Sequence, residues 1–304
     1  MGKIAFVFPG QGAQVIGMAK DFYEECQSSK EIFASANACL DIDIEKICFE
    51  DEEKIHLTEY TQPALLTACM AIAKPVLEII QPDVTAGLSL GEYTALVVSG
   101  VMDFTDAVKL TRKRGIYMQN EVPVGLGGMY AVLGSTKETI DEVCQSIEGV
   151  SVANYNCPGQ IIISGKLEGL EEAKEKLTAA GAKRVMPLKV SGPFHSKMLV
   201  GAGEKLAAEL EPVKISTPKI PYVTNVTAEY ISEAEPIKEL LAQQVSSSVR
   251  WQESVEKMIA EGVDTFVEIG PGHTLTSLIK KIDRSVTLIN IEKTEDLEKL
   301  RQPL

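Results

Sequence analysis

The chain has 304 residues, a formal net charge of −13, 45% hydrophobic residues and 24% charged ones. That is enough ordinary globular sequence for one large domain or two unequal ones, and the acidic excess argues against nucleic acid and anionic membrane as partners. The six cysteines (Cys26, Cys39, Cys48, Cys69, Cys144, Cys157) make no Cys-x-x-Cys pair and no Cys/His cluster, so neither a zinc site nor a disulfide framework is expected.

The apolar run Ile4 to Phe8 is too short for a signal h-region and predicts a buried first strand, with a cytoplasmic location expected. The loop Pro9-Gly10-Gln11-Gly12-Ala13-Gln14 follows. Its glycines let backbone N–H groups point into a site, and it reads equally as a simple strand-to-helix turn. Residues 15 to 55 read as helical, with an acidic patch from Glu50 to Glu53. Thr61-Gln62-Pro63 opens a helix with proline near its first turn, and Pro75 is expected to kink it. The uncharged run Thr61 to Ala73 is well short of a membrane span.

Val84-Thr85-Ala86 then runs into Gly87-Leu88-Ser89-Leu90-Gly91, with a helical segment from Tyr93 to Val98 behind it. Strand, tight turn and helix in that order are what a nucleophile elbow requires, and the turn is too sharp for side chains at its glycines. Such a turn lifts the Ser89 hydroxyl out beside the positive end of the next helix. A further helix is predicted from Thr105. Ala107, Thr111, Arg114 and Met118 share one face of it, while Arg112 and Lys113 fall on other faces and can be solvated. Arg114 thus points inward and needs an anion, which is either a carboxylate of the fold or one belonging to a substrate.

From residue 129 to 190 the pattern is β-α-β-β-α-β, the split βαβ order of a ferredoxin-like module, with Ser135 and Glu138 placed as a capping box on its first helix. The module reads as residues 126–196 inserted between the two parts, 1–125 and 197–304, of a larger α/β domain. Strands near 220–226, 265–269 and 286–291 alternate with helices near 236–245 and 274–282, which predicts a mostly parallel sheet covered on both faces. Of three histidines, His56 lies in a charged segment. His195 sits where the insert returns, and His273 follows the Gly270-Pro271-Gly272 turn. The last two compete as general base for Ser89.

Taken together, Phe8-Pro9-Gly10-Gln11-Gly12, Thr61-Gln62-Pro63-Ala64, Gly87-Leu88-Ser89-Leu90-Gly91-Glu92-Tyr93, Arg114-Gly115, Asn156-Cys157-Pro158-Gly159-Gln160, Gly192-Pro193-Phe194-His195-Ser196 and Glu268-Ile269-Gly270-Pro271-Gly272 resemble the malonyl-CoA:acyl carrier protein transacylases, spread over nearly the whole chain. The resemblance implies an α/β-hydrolase-like core with the ferredoxin-like insert. It further implies Ser89 as acylated nucleophile, His195 as its base, the Gln244 carbonyl orienting that histidine, and an oxyanion hole from the N–H groups of Gln11 and Leu90. By the same likeness Arg114 grips the malonyl carboxylate, Asn156 and Gln160 line the acyl-pantetheine channel, and Phe194 favours an unbranched acyl group. Many members have His where this chain has Leu88. The implied substrates are malonyl-CoA and acyl carrier protein, with no metal or cofactor and a monomeric chain. Carrier proteins are acidic, so docking on this acidic chain requires a local basic patch. Lys280, Lys281 and Arg284, with Lys189, are the candidates.

Overall fold

The computed structural model describes residues 2–301. The first strand, β1 (Lys3–Phe8), alternates its faces: Phe6 and Phe8 enter one hydrophobic cluster, Ala5 and Val7 another on the opposite side of the sheet. The expected long helical stretch is divided into α1 (Lys20–Glu25), α2 (Gln27–Cys39) and α3 (Ile44–Phe49). Asp43 caps the last of these by accepting from the Lys46 amide.

Helix α4 (Thr58–Ile79) starts a turn earlier than the sequence suggests and runs unbroken through Pro63 and Pro75. Each proline lacks the N–H that would serve the carbonyl four residues back. Both orphaned carbonyls are taken from outside the helix: Arg112 donates to Glu59 O at 2.9 Å and the Ser29 hydroxyl donates to Ala71 O at 2.7 Å. Buried backbone acceptors must be satisfied, and here neighbouring helices do it.

The elbow strand β2 (Val84–Gly87), α5 (Gly91–Val98) and α6 (Phe104–Asn120) come next. Then follow β3 (Gly127–Leu133), α7 (Lys137–Gln145), β4 (Val150–Cys157), β5 (Gln160–Lys166), α8 (Leu167–Ala179) and β6 (Arg184–Pro187). These four strands form an antiparallel sheet in the order β4-β5-β3-β6. One face carries α7 and α8 over a hydrophobic cluster drawn wholly from this segment, including Val132, Ile140, Ile163 and Leu177. The cap of α7 differs from the expected box: Thr136, not Ser135, accepts from the backbone N–H three residues on.

The chain closes with α9 (Val200–Leu210), β7 (Tyr222–Val223), β8 (Tyr230–Ile231), α10 (Ile237–Gln244), α11 (Trp251–Ala260), β9 (Val263–Ile269), α12 (Thr274–Ile282) and β10 (Thr287–Ile291). The main sheet has the order β10-β9-β1-β2-β7-β8 and is parallel except for the short edge strand β8. Strand order reverses at β1, with β2 and β7 on one side and β9 and β10 on the other. The loop leaving the carboxyl end of β1 therefore lies at the switch point, the customary ligand position in such sheets, and the turn after β2 is its neighbour. No helix among the described residues is long and apolar enough to cross a membrane.

Candidate active site

The turn between β2 and α5 is closed by backbone. A Cβ on Gly87 would stand 1.9 Å from the carbonyl carbon of Gly91, and one on Gly91 would stand 2.1 Å from Phe8 O. Gly10 is equally constrained, since a Cβ there would meet Leu88 O at 2.4 Å. These three glycines press the β1 loop onto the elbow, and Ser89 between them is forced to φ +52°. His195 also has positive φ, at +56°. Non-glycine residues are costly in that region and persist where surrounding structure over-determines them. Ser196 helps do so by donating its hydroxyl to Pro193 O and accepting from the Met198 amide.

The two strained residues meet. Ser89 Oγ lies 2.7 Å from His195 Nε2, and His195 Nδ1 lies 2.8 Å from the backbone oxygen of Gln244. A carbonyl only accepts, so Nδ1 carries the proton and Nε2 is left as acceptor for the serine hydroxyl. Burial, and then the nearby Arg114 charge, lower the His195 pKa to about 4, against the carbonyls that favour its protonated form. The imidazole is thus neutral at physiological pH, with Nε2 free to accept a proton. His273, the competing histidine, is exposed at the start of α12, where its backbone oxygen accepts from Ser277 N and both the Thr276 and Ser277 hydroxyls. It makes no hydrogen bond to Ser89.

Arg114 is 1% exposed and reaches the same point from α6. One terminal nitrogen donates to Gln62 Oε1 at 2.8 Å; the other donates to Gln244 Oε1 at 2.9 Å and Ser89 Oγ at 3.1 Å. Its Nε has no protein partner, and the Tyr93 ring lies 5.6 Å beneath the guanidinium. All of these partners are neutral. Burial lowers its pKa, outweighing the more distant Tyr93 and Glu92, neither of which hydrogen-bonds the guanidinium. Of the two readings of an inward-facing Arg114, an ion pair within the fold is therefore the one the structure lacks. Arg112, expected to be solvated, is instead 8% exposed and paired with Glu59 and Asp41.

The backbone amides of Gln11 and Leu90 have no protein acceptor among the described residues, while the Gln11 side chain is tied to Thr58 Oγ1 at 3.0 Å. The Ser89 amide is engaged elsewhere, donating to Asn225 Oδ1 at 2.6 Å. Asn156 is buried on β4 with its Oδ1 unpartnered, and Phe194 is buried beside His195. Gln160 accepts from Lys281 Nζ at 3.1 Å, joining the β4–β5 turn to α12. Lys280, Lys281, Arg284 and Lys189 are exposed and form no ion pair with the described residues.

Sequence reasoning missed three members of this constellation. Gln62 holds Arg114. Asn225 binds the elbow twice, accepting from Ser89 N and donating to Gly87 O at 2.7 Å. Glu92 is fully buried in the first turn of α5 and accepts from Gln244 Nε2 at 2.6 Å and Asn225 N at 3.2 Å. One signal was available for Glu92: it is the sole charged residue between Asp83 and Asp103.

The acyl transferase domain model matches residues 5–298. The chain belongs to the acyl transferase family. It is 46% identical to the malonyl CoA-acyl carrier protein transacylase of Bacillus subtilis, covering 100% of this chain and 98% of that one. The crystal structure of a malonyl CoA-acyl carrier protein transacylase from Clostridium perfringens superposes with a TM-score of 0.95 at 46% identity, covering 98% of this acyl transferase and 95% of its counterpart. A malonyl-transacylase solved in complex with a type II polyketide synthase acyl-carrier protein superposes equally well, with a TM-score of 0.95 at 40% identity and 98% of each chain covered.

Proposed function

We propose that this acyl transferase moves the malonyl group from malonyl-CoA to the phosphopantetheine thiol of acyl carrier protein, through an ester on Ser89, and so supplies extender units for fatty acid synthesis. The observation that carries this reading is Arg114: a fully buried guanidinium, lacking any carboxylate partner, 3.1 Å from the serine oxygen. A malonyl group offers the missing anion while its thioester carbon meets Ser89.

In the first half-reaction His195 Nε2 takes the Ser89 proton as Oγ bonds to the thioester carbon. The N–H groups of Gln11 and Leu90 hold the tetrahedral oxyanion, each such donor contributing ~3 kcal/mol in the transition state. The carbon–sulfur bond then breaks, and the CoA thiolate recovers the proton from His195. In the second half the carrier thiol gives its proton to His195 and attacks the ester, and Ser89 regains a proton as it leaves. Catalysis is ping-pong. Arg114 contributes about 1.5–3 kcal/mol by charge-assisted hydrogen bonds to the acyl carboxylate. Asn156 and Gln160 border the pantetheine arm, Phe194 crowds branched acyl groups, and the exposed cations of α12 with Lys189 meet the acidic carrier. The separate hydrophobic cluster within 126–196 supports treating that segment as an insert in a core of 1–125 and 197–304. Six unpaired thiols suit a cytoplasmic setting.

The test is an intact mass after incubation with malonyl-CoA. A malonyl-sized gain, absent in Ser89→Ala and discharged by holo carrier protein, is expected. Release of free malonate without an accumulated or transferable acyl group would make the protein a hydrolase instead.

A further inference from the structure

The Gln244 side chain lies between the one buried carboxyl of the site and the one buried cation. Its Nε2 donates to Glu92 Oε2 at 2.6 Å and to Ser89 O at 3.0 Å, and its Oε1 accepts from Arg114 at 2.9 Å. No other orientation of the amide fits. With oxygen and nitrogen exchanged, its oxygen would face two acceptors and its nitrogen would face a guanidinium donor. Glu92 and Ser89 O thus hold the nitrogen end of Gln244 and leave its oxygen for Arg114. Glu92 is itself held by the Asn225 amide, whose side chain binds the elbow at Ser89 N and Gly87 O.

We infer that Glu92 and Gln244 form a spaced pair that sets selectivity for acyl groups bearing a carboxylate. The amide stands in for a carboxylate at Arg114, aiming the guanidinium with a neutral oxygen and keeping the only nearby acid one side chain away. A carboxylate at position 244 would close an ion pair with Arg114 and occupy the fork that the substrate needs. Burial works in the same direction, since it raises the Glu92 pKa to about 7 and weakens its negative charge at neutral pH. Both residues act through Arg114 and are positioning residues. The inference rests on Arg114 meeting the malonyl carboxylate.

The experiment is the ratio of kcat/KM for malonyl-CoA over acetyl-CoA in Ser89 acylation. It is measured for the wild type, Arg114→Ala, Glu92→Gln and the exchange Glu92→Gln with Gln244→Glu, with a thermal melt for each. The exchange moves the carboxyl to the arginine at nearly constant side-chain size, giving up the bonds from Gln244 Nε2 to Ser89 O and from Asn225 N to position 92, so the ratio of the two substrates, which shares that loss, is the readout. It is expected to lower the ratio about 10- to 100-fold, chiefly through the KM for malonyl-CoA. Glu92→Gln, which keeps an acceptor for Gln244, should hold the ratio within about threefold. If the exchange does not fold, Gln244→Glu alone carries the same expectation. An exchange or Gln244→Glu variant that keeps the wild-type ratio overturns the inference, as does Glu92→Gln losing as much as the exchange. Should Arg114→Ala itself keep the ratio, the carboxylate-binding reading of Arg114 fails with it; if only Arg114→Ala loses the ratio, the spaced pair alone is wrong.

Discussion

Arg112 and Arg114 lie two residues apart on α6, and both are withdrawn from solvent, yet their surroundings are opposite in character. Arg112 binds Glu59 Oε2 at 2.7 Å, Glu59 O at 2.9 Å and Asp41 at 3.4 Å, and lies 4.7 Å above the Tyr60 ring. Against the cost of burial, those hydrogen bonds hold its pKa above the ordinary value and pull that of Asp41 down. Arg114 has two amide oxygens, a hydroxyl and an aromatic face. Burial alone thus says little about what a cation does. The charge of its partners separates a brace from a binding group.

The difference can be broken by experiment. Arg114→Ala should lower malonyl-CoA kcat/KM about 10- to 100-fold with little change in melting temperature, since it removes an uncompensated buried charge. Arg112→Ala should do the reverse, costing about 1–3 kcal/mol of stability in denaturant titration by stranding Glu59 and its freed carbonyl, with acylation near that of the wild type. Equal losses of activity in the two variants would erase the distinction.

A pH titration sharpens it. His195 falls from an ordinary 6.5 to about 4 in the folded enzyme, with Arg114 the second cause after burial. The acid limb of kcat/KM for malonyl-CoA is therefore expected well below 6.5, moving upward in Arg114→Ala and staying put in Arg112→Ala. The sign for stability follows from the same shift. The unfolded chain takes up this proton from about pH 6.5 and the folded one only near 4, so His195 costs stability as pH falls through that window. The smallest effect concerns exposed cations that form no ion pair among the described residues. Charge reversal at Lys280 and Lys281 should raise the KM for carrier protein several-fold and spare that for malonyl-CoA, since screened surface charges act mainly on encounter.

The same pair of arginines marks how far the sequence could be read. The 3.6-residue period turned Arg114 inward, and the Gly-x-Ser-x-Gly turn demanded its glycines for the close approaches now seen at Gly87 and Gly91. The parallel sheet and the antiparallel insert were both evident from the order of apolar segments. Arg112 was misplaced because its partners, Glu59 and Asp41, are 53 and 71 residues distant and no local pattern announces them. Glu92, Asn225 and the Gln244 side chain escaped for that reason too: Asn225 lies 133 residues from Glu92, and Gln244 lies 152. The choice between His195 and His273 needed the family likeness, since each follows a turn of similar composition.

The edge strand β4 is stitched to the segment just past α10: Tyr155 N donates to Val249 O at 3.0 Å, Val249 N to Ala153 O at 2.8 Å, and the Ser248 hydroxyl to Val152 O. Val249 lies five residues beyond Gln244, whose carbonyl accepts from the His195 imidazole. Two of the three stitches are main chain to main chain, indifferent to which side chains the strand carries. The side chains of the insert can therefore change without re-registering it on the histidine's anchor, whereas one deleted residue in β4 would swap its faces and shift that anchor along the strand.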